Sequence, residues 1–305
     1  MTPASRSTER WTEWYPLLPG FRVERETLGE TLDGGQAFRW YAQPATPGTW
    51  RGIWGGAVVE IQGQTTGDLR WRALCVTTEP TASAADVERY FGGDRPWAAL
   101  ADSLPWRSDP HLARCLEEFP GLRLLRQPFG ETLLGFLCSA TKQIVQIKQM
   151  LALLAERHGQ ALAPGVHRLP TWQELAAVPE AELRQCLLGF RARFIHRTAL
   201  FLAQHPTWLQ ETEAAPYALA KARLCTLPGV GEKVADCVLL FGAGQLEAFP
   251  VDVWILRALA ERYGLHAWKP AAVTQFGRIH FGEYAGLAQQ YLFAWERRHG
   301  RSRRS

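Results

Sequence analysis

At 305 residues and 34.3 kDa the chain is long for one hydrophobic core, so two or three packed subdomains are expected. Hydrophobic residues make up 47% and charged residues 21%, the balance of a soluble globular protein, and no apolar run reaches the roughly 18 residues a membrane span needs. A net charge of +4 with a pI near 8.8 permits a nucleic-acid partner but is too mild to establish one.

The polar N-terminus, through about Glu9, reads as a frayed end. From residue 21 to residue 76 the chain carries short alternating segments, FRVERETL, AFRWYAQ, TWRGIWGGAVVEIQ and LRWRALCV, cut by Gly, Pro and Thr. This pattern predicts an antiparallel sheet, with Asp33-Gly34-Gly35 as a turn between two strands. From Ala84 onward the periodicity is helical. Residues 132–159 predict one or two helices ending near Gly159, and further helices are expected at 172–176, 181–188, 191–204, 217–225, 232–241, 253–263 and 284–298. The expected architecture is α+β: an N-terminal antiparallel sheet subdomain over residues 1–105, packed on a mostly helical, two-part core over residues 106–305. The basic tail RRHGRSRRS reads as a disordered, solvated end. Thirteen tryptophans are more than solvent would tolerate, so many must lie in cores or grooves. The six cysteines form no CxxC pair, no zinc pattern with histidine and no iron–sulfur spacing. With no signal-peptide pattern, they read as reduced, mostly buried thiols of a cytoplasmic protein.

The segment YALAKARLCTLPGVGEKVADCVLLF, residues 217–241, carries the most chemistry. Pro228-Gly229-Val230-Gly231 predicts a sharp turn between two helices, and the two glycines expose backbone amides where the second helix begins. Unpaired amides at the positive end of a helix suit a phosphate. A helix–hairpin–helix at 217–242 would bind the DNA backbone in this way without reading sequence; a plain turn between two helices fits the same residues. Lys233 lies in the first turn of the second helix, where a cation is disfavoured and the neutral amine of a nucleophile is favoured. A surface lysine is the ordinary alternative. In FPVDVWILRAL, Pro250 precedes Asp252 and a helical pattern follows at once, so Asp252 is expected as an N-cap. Backbone amides would keep its carboxylate ionised, and beside a sugar it could stabilise an oxocarbenium-like transition state. A purely structural cap is the commoner role.

LPGVGEKVADC followed by PVDV resembles the helix–hairpin–helix glycosylase superfamily, and within it the 8-oxoguanine DNA glycosylases, as a bacterial-type member. GGQAFRW at 34–40, DPHLARCLEEFPGLRLLRQ at 109–127, LLGFLCSA ending at 140, LLGFRARF at 187–194 and EYAGLAQQYLF at 283–293 resemble that family in the same order. The resemblance implies a monomeric, nucleoid-associated, bifunctional DNA glycosylase/AP lyase acting on damaged double-stranded DNA. Lys233 would attack the anomeric carbon of the damaged nucleotide and form a Schiff base, with Asp252 assisting. The target base would be flipped into a pocket. There the Gly35 carbonyl would accept the N7 proton that 8-oxoguanine has and guanine lacks, Cys237 and Phe293 would sandwich the ring, and Gln289 would address its Watson–Crick edge. Phe190, Arg191 and Thr141 would contact DNA near the extruded nucleotide, and Gly229 and Gly231 the phosphate backbone. No cofactor is required, although the carbonyls of Cys225, Leu227 and Val230 could hold a structural monovalent cation. Without the resemblance, Gly35, Cys237, Gln289 and Phe293 read as a turn, core packing and a solvated helix residue.

The chain departs from the eukaryotic-type pattern in places. Thr141, Lys142 and Gln143 replace a run of asparagines, Gln146 replaces an arginine that helps read the opposite cytosine, and Trp254 stands where a phosphate-contacting histidine is usual. These departures leave the preference for the base opposite the lesion open. Two competing readings remain: an alkylated-base (3-methyladenine-type) DNA glycosylase of the same superfamily, which would lack the hairpin lysine, and a non-catalytic DNA-binding protein.

Overall fold

The computed structural model of the chain describes residues 9–300. The extreme N-terminus and the end of the basic tail lie outside the described residues. Glu9 is fixed rather than frayed, because the Arg51 guanidinium donates to both of its carboxylate oxygens at 3.0 and 2.9 Å. Within the tail, Arg297 and Arg298 belong to the last helix, and Arg297 pairs with Glu30 at 2.9 Å.

The N-terminal part is a five-stranded antiparallel sheet in the order β1-β5-β4-β3-β2. Its strands are β1 (Tyr15–Arg22), β2 (Trp40–Ala42), β3 (Thr49–Trp54), β4 (Ala57–Gly63) and β5 (Asp68–Ala73). β3 and β4 form a hairpin closed by Gly55 and Gly56, both with positive φ, as such a tight turn requires. One face of the sheet builds a core around Trp40, Ile61 and Trp71. On other strand positions, Arg51 and Arg72 stack on Trp11, and Arg70 and Arg72 on Trp14, with ring distances of 4.6–4.9 Å. Part of the tryptophan excess thus serves as platforms for arginine.

FRVERETL is not one strand. β1 ends at Arg22 and a helix, Arg25–Asp33, follows. It buries Thr27, Leu28, Thr31 and Leu32, a four-residue repeat that makes one helical face. The Asp33-Gly34-Gly35 turn consequently joins a helix, rather than a strand, to β2.

The helical part has a continuous core of its own, which reaches into the sheet region through Phe38 and Trp97, while Leu125 packs the other way into the sheet core. Residues 132–159 resolve into two helices, Phe129–Leu137 and Ile144–His158. The helices Trp172–Ala176, Arg191–Gln204 and Val253–Tyr263 coincide with the predicted spans. The expected 181–188 helix instead stops at Leu183 and continues as a wide π-turn, Arg184–Leu188, in which Leu187 takes a left-handed backbone. Among the described residues from Ala84 onward, five further helices, Ala84–Tyr90, Trp97–Ser103, Pro110–Glu118, Trp208–Ala214 and Pro270–Phe281, lie outside the predicted spans. All six cysteines are free, four of them buried, Cys75 half-buried and Cys225 exposed.

Candidate active site

The hairpin is built as its glycines require. The helix Tyr217–Leu224 ends in a turn whose Val230 amide donates to the Leu227 carbonyl at 3.1 Å, and the second helix, Glu232–Val238, starts from an extended Gly231. Gly229 has φ +79, and a Cβ there would stand 2.5 Å from the Phe194 ring, so the helix Arg191–Gln204 packs directly on the hairpin. Beneath the turn, buried Asp236 accepts from Tyr217 Oη at 2.7 Å and Lys221 Nζ at 3.0 Å. This three-residue clamp ties the two hairpin helices together. It escapes sequence reasoning because its partners lie 19 and 15 residues apart.

Lys233 and Cys237, one turn apart on the second hairpin helix, line a pocket together with Asp252, Gln289, Phe293 and Gly35. About 320 Å³ of space, open solvent included, lies within this pocket, which is open to solvent. Every residue that the sequence reading assigned to catalysis or base recognition therefore meets here.

Lys233 is half-buried. Its Nζ donates to Ser139 Oγ at 3.3 Å and lies 5.3 Å from the centre of the Phe136 ring. Ser139 and Phe136 come from a different segment of chain, and the sequence reading did not single out either.

Asp252 caps the helix Val253–Tyr263 as expected, its Oδ1 accepting from the amides of Trp254 at 3.0 Å and Ile255 at 2.9 Å. Burial nevertheless pushes its carboxyl above the ordinary range, although both amides and the Lys233 charge pull it down. The cap bonds favour the ionised form, as the N-cap rule expects, but desolvation in the pocket opposes them and sets the direction of the shift.

Cys237 is buried, and desolvation raises its thiol to about 12 even beside Lys233. It is a neutral, polarisable wall. Opposite it, the helix Ala285–His299 presents Gln289 and Phe293 one turn apart. Gln289 Nε2 donates to the Pro250 carbonyl at 3.2 Å, which leaves Oε1 as the free end: a buried acceptor without a partner. An unpaired acceptor in a pocket is costly unless a ligand supplies its donor.

Gly35 closes the pocket from the sheet side. Its φ is +104, and a Cβ there would meet Ile144 Cδ1 at 3.1 Å and the Phe293 ring at 3.3 Å. The turn is held in place by buried Gln36, which donates to the Arg123 carbonyl at 3.0 Å and accepts the Leu125 amide at 2.8 Å. Gly35→Ala is expected to strain the backbone and push on Phe293, lowering damaged-base excision by at least about tenfold while shifting the thermal midpoint only modestly. Single-turnover excision beside a melting curve checks this; wild-type turnover with an unchanged midpoint would refute the tight-approach argument.

The remaining predicted contacts do not line the pocket but lie on loops linked to it through Ser139. Thr141 is exposed with φ +56, and Phe190 is 52% exposed. Arg191 is buried, with its guanidinium donating to the carbonyls of Leu188 and Ala140 and to Thr141 Oγ1. It braces two loops instead of facing solvent. Gln146 is also committed, its Oε1 accepting the Gln143 amide at 3.1 Å at the start of the helix Ile144–His158. Among the described residues no group of acidic, cysteine and histidine side chains could hold a metal ion, and no helix is long and apolar enough to cross a membrane.

A sheet-capped helical core with a hairpin lysine and an N-cap aspartate in one pocket defines a base-excision protein of the helix–hairpin–helix class. Residues 134–277 match the profile of the HhH-GPD superfamily of base excision DNA repair proteins, and residues 21–133 that of the 8-oxoguanine DNA glycosylase N-terminal domain. The N-glycosylase/DNA lyase OGG1 of Arabidopsis thaliana is 30% identical over 299 residues, covering 93% of this chain and 80% of its own. The N-glycosylase/DNA lyase of Saccharomyces cerevisiae is 30% identical over 315 residues, covering 88% and 83%. The structure of the Clostridium acetobutylicum 8-oxoguanine glycosylase/lyase, in complex with double-stranded DNA containing cytosine opposite 8-oxoG, superposes with a TM-score of 0.81 at 27% identity, covering 95% of this chain and 99% of that one. The chain belongs to the 8-oxoguanine DNA glycosylase family of the HhH-GPD superfamily.

Proposed function

We propose that this chain is a DNA glycosylase with AP lyase activity that removes 8-oxoguanine from duplex DNA, with Lys233 as nucleophile and Asp252 as the assisting carboxylate. The observation that carries the proposal is the convergence of these two groups with Gly35, Cys237, Gln289 and Phe293 on one pocket. The names of the relatives point to the same activity. An extruded base enters between the Cys237 thiol and the Phe293 ring, and the free Gln289 Oε1 accepts from its Watson–Crick edge. The Gly35 carbonyl accepts the N7 proton peculiar to 8-oxoguanine, a single hydrogen bond that discriminates by ~1–3 kcal/mol.

In the chemical step Lys233 gives up a proton and its amine attacks the anomeric carbon, while the glycosidic electron pair departs with the base, which takes up a proton. Opening of the sugar ring leaves an imine between Nζ and that carbon. Loss of a proton from the adjacent carbon then expels the 3′ phosphate and nicks the strand. The Asp252 carboxylate stabilises the cationic sugar that develops during attack, and a poorly solvated carboxylate does so more strongly than one in water.

The hairpin amides bind the backbone phosphates on the 3′ or 5′ side of the lesion without reading sequence. A monovalent cation held by the carbonyls of Cys225, Leu227 and Val230 would serve this contact and not the chemistry. Hard oxygen donors suit such an ion, and the Leu227 carbonyl, engaged once by the Val230 amide, keeps a lone pair for it.

Borohydride reduction during turnover is the direct test. A covalent protein–DNA adduct on an 8-oxoguanine duplex is expected, and it should be lost in Lys233→Gln. Release of 3-methyladenine with no adduct on 8-oxoguanine DNA would instead establish the alkylated-base reading.

A further inference from the structure

The loop that precedes the helix Arg191–Gln204 holds an unusual arrangement. Leu187 has φ +60 and ψ 17, a left-handed backbone that costs a leucine and suits glycine or asparagine. Its side chain gives little packing in return, being 53% exposed, and Phe190, three residues on, is 52% exposed. The fold gains little from an apolar side chain at Leu187.

The position of the loop indicates what covers them. Arg191 donates to the Leu188 carbonyl on one side and to the Ala140 carbonyl and Thr141 Oγ1 on the other. The residue just before that second pair, Ser139, accepts from the Lys233 amine. Phe190 packs edge-on against Phe194, which in turn abuts Gly229 of the hairpin. The exposed pair thus lies on the face shared by the pocket mouth and the hairpin. Free cations on residues 132–155 and 184–205 are the exposed Arg193 and Arg197 and the half-buried Lys142, whereas Arg184 and Lys148 are paired with Glu180 and Asp33 and Arg191 is buried; residues 184–205 contain no carboxylate. A polyanion with an apolar interior matches this surface, and duplex DNA with its base stack has that chemistry.

We propose that Leu187 is a second apolar wedge beside Phe190, entering the base stack at the step from which the target nucleotide is extruded. This rests on the glycosylase reading and deepens it, by assigning a specificity-determining contact. With the Arg191 guanidinium committed to protein partners, the loop faces the base opposite the lesion with the apolar Leu187 and Phe190 in place of that arginine, so stacking contributes to its recognition.

The test uses the full chain and a duplex carrying a tetrahydrofuran abasic analogue opposite 2-aminopurine, which requires no chemistry. Leu187→Gly relieves the backbone, and Leu187→Asn tolerates it while removing the apolar group, so both are expected to fold, with a raised thermal midpoint for Leu187→Gly. Each should bind the lesion duplex about tenfold more weakly with unchanged affinity for undamaged duplex, and the 2-aminopurine fluorescence increase should shrink. Wild-type lesion affinity and fluorescence in both variants would overturn the wedge. Equal losses on lesion and undamaged duplex would overturn it as well, since a backbone contact behaves that way. Failure of the wild-type chain to excise 8-oxoguanine is a separate result and would strike the parent reading alone.

Discussion

Lys233→Gln is expected to abolish base excision while leaving affinity for a lesion duplex within a few fold of the unmodified chain. Glutamine keeps most of the length and the polarity of lysine, and its amide can still reach toward Ser139 Oγ, which accepts from Nζ at 3.3 Å. The hairpin amides and the clamp around Asp236 are untouched, so the phosphate-binding frame persists. What disappears is the only amine among the described residues lining the pocket. Removing the nucleophile of a covalent catalyst costs at least about 10⁴-fold in rate, because no other group forms the intermediate. Single-turnover excision, borohydride trapping and a binding titration on one duplex measure the three consequences together. Excision within tenfold of wild type would show that water, assisted by Asp252, is the attacking group. That result would move the chain to the mechanism of a monofunctional glycosylase.

Local rules made the catalytic pair legible, whereas tertiary contacts set its environment. The Pro-Gly-Val-Gly turn, the lysine two residues after it and the PVD cap are short-range features, and the cap bonds from Trp254 and Ile255 fall where the sequence spacing requires. Gly35 and Phe293 are some 250 residues apart in the chain, and no periodicity brings them together. Only the ordered resemblance to a family did so. Ser139 stands 94 residues from Lys233 and carries no local signal of its own. FRVERETL was ambiguous because Leu28 and Leu32 satisfy a helical face as readily as the earlier residues satisfy a strand. The π-turn at Arg184–Leu188 breaks a pattern that reads as uninterrupted helix, and the left-handed Leu187 inside it has no turn residue to announce it.

The Asp252→Asn substitution separates the two roles of that residue. Asparagine caps helices as well as aspartate, so its Oδ1 can keep the bonds from Trp254 and Ile255 and the helix Val253–Tyr263 should start as before. The charge is lost, and excision should slow by roughly 10²–10³-fold, the range for removing one preorganised electrostatic group. Asp252→Ala should lose about the same rate and, in addition, ~1 kcal/mol of stability from the missing cap. Proton linkage adds a second signature. Because burial raises the Asp252 carboxyl in the folded state, the folded chain binds this proton more tightly than the unfolded chain. Its contribution to stability is therefore present at low pH and is lost as pH rises from the ordinary carboxylate value through the raised one. At neutral pH the ionised group is a stability cost that the fold carries for the pocket's chemistry. Asp252→Asn should then melt no lower than wild type at pH 7. Only the ionised form assists catalysis, so wild-type excision should fall as the solution is acidified through the raised value, above the range of an exposed aspartate, and Asp252→Asn should lose that acid limb. A midpoint clearly below wild type at pH 7, or an unchanged acid limb, would show that Asp252 is chiefly a structural cap.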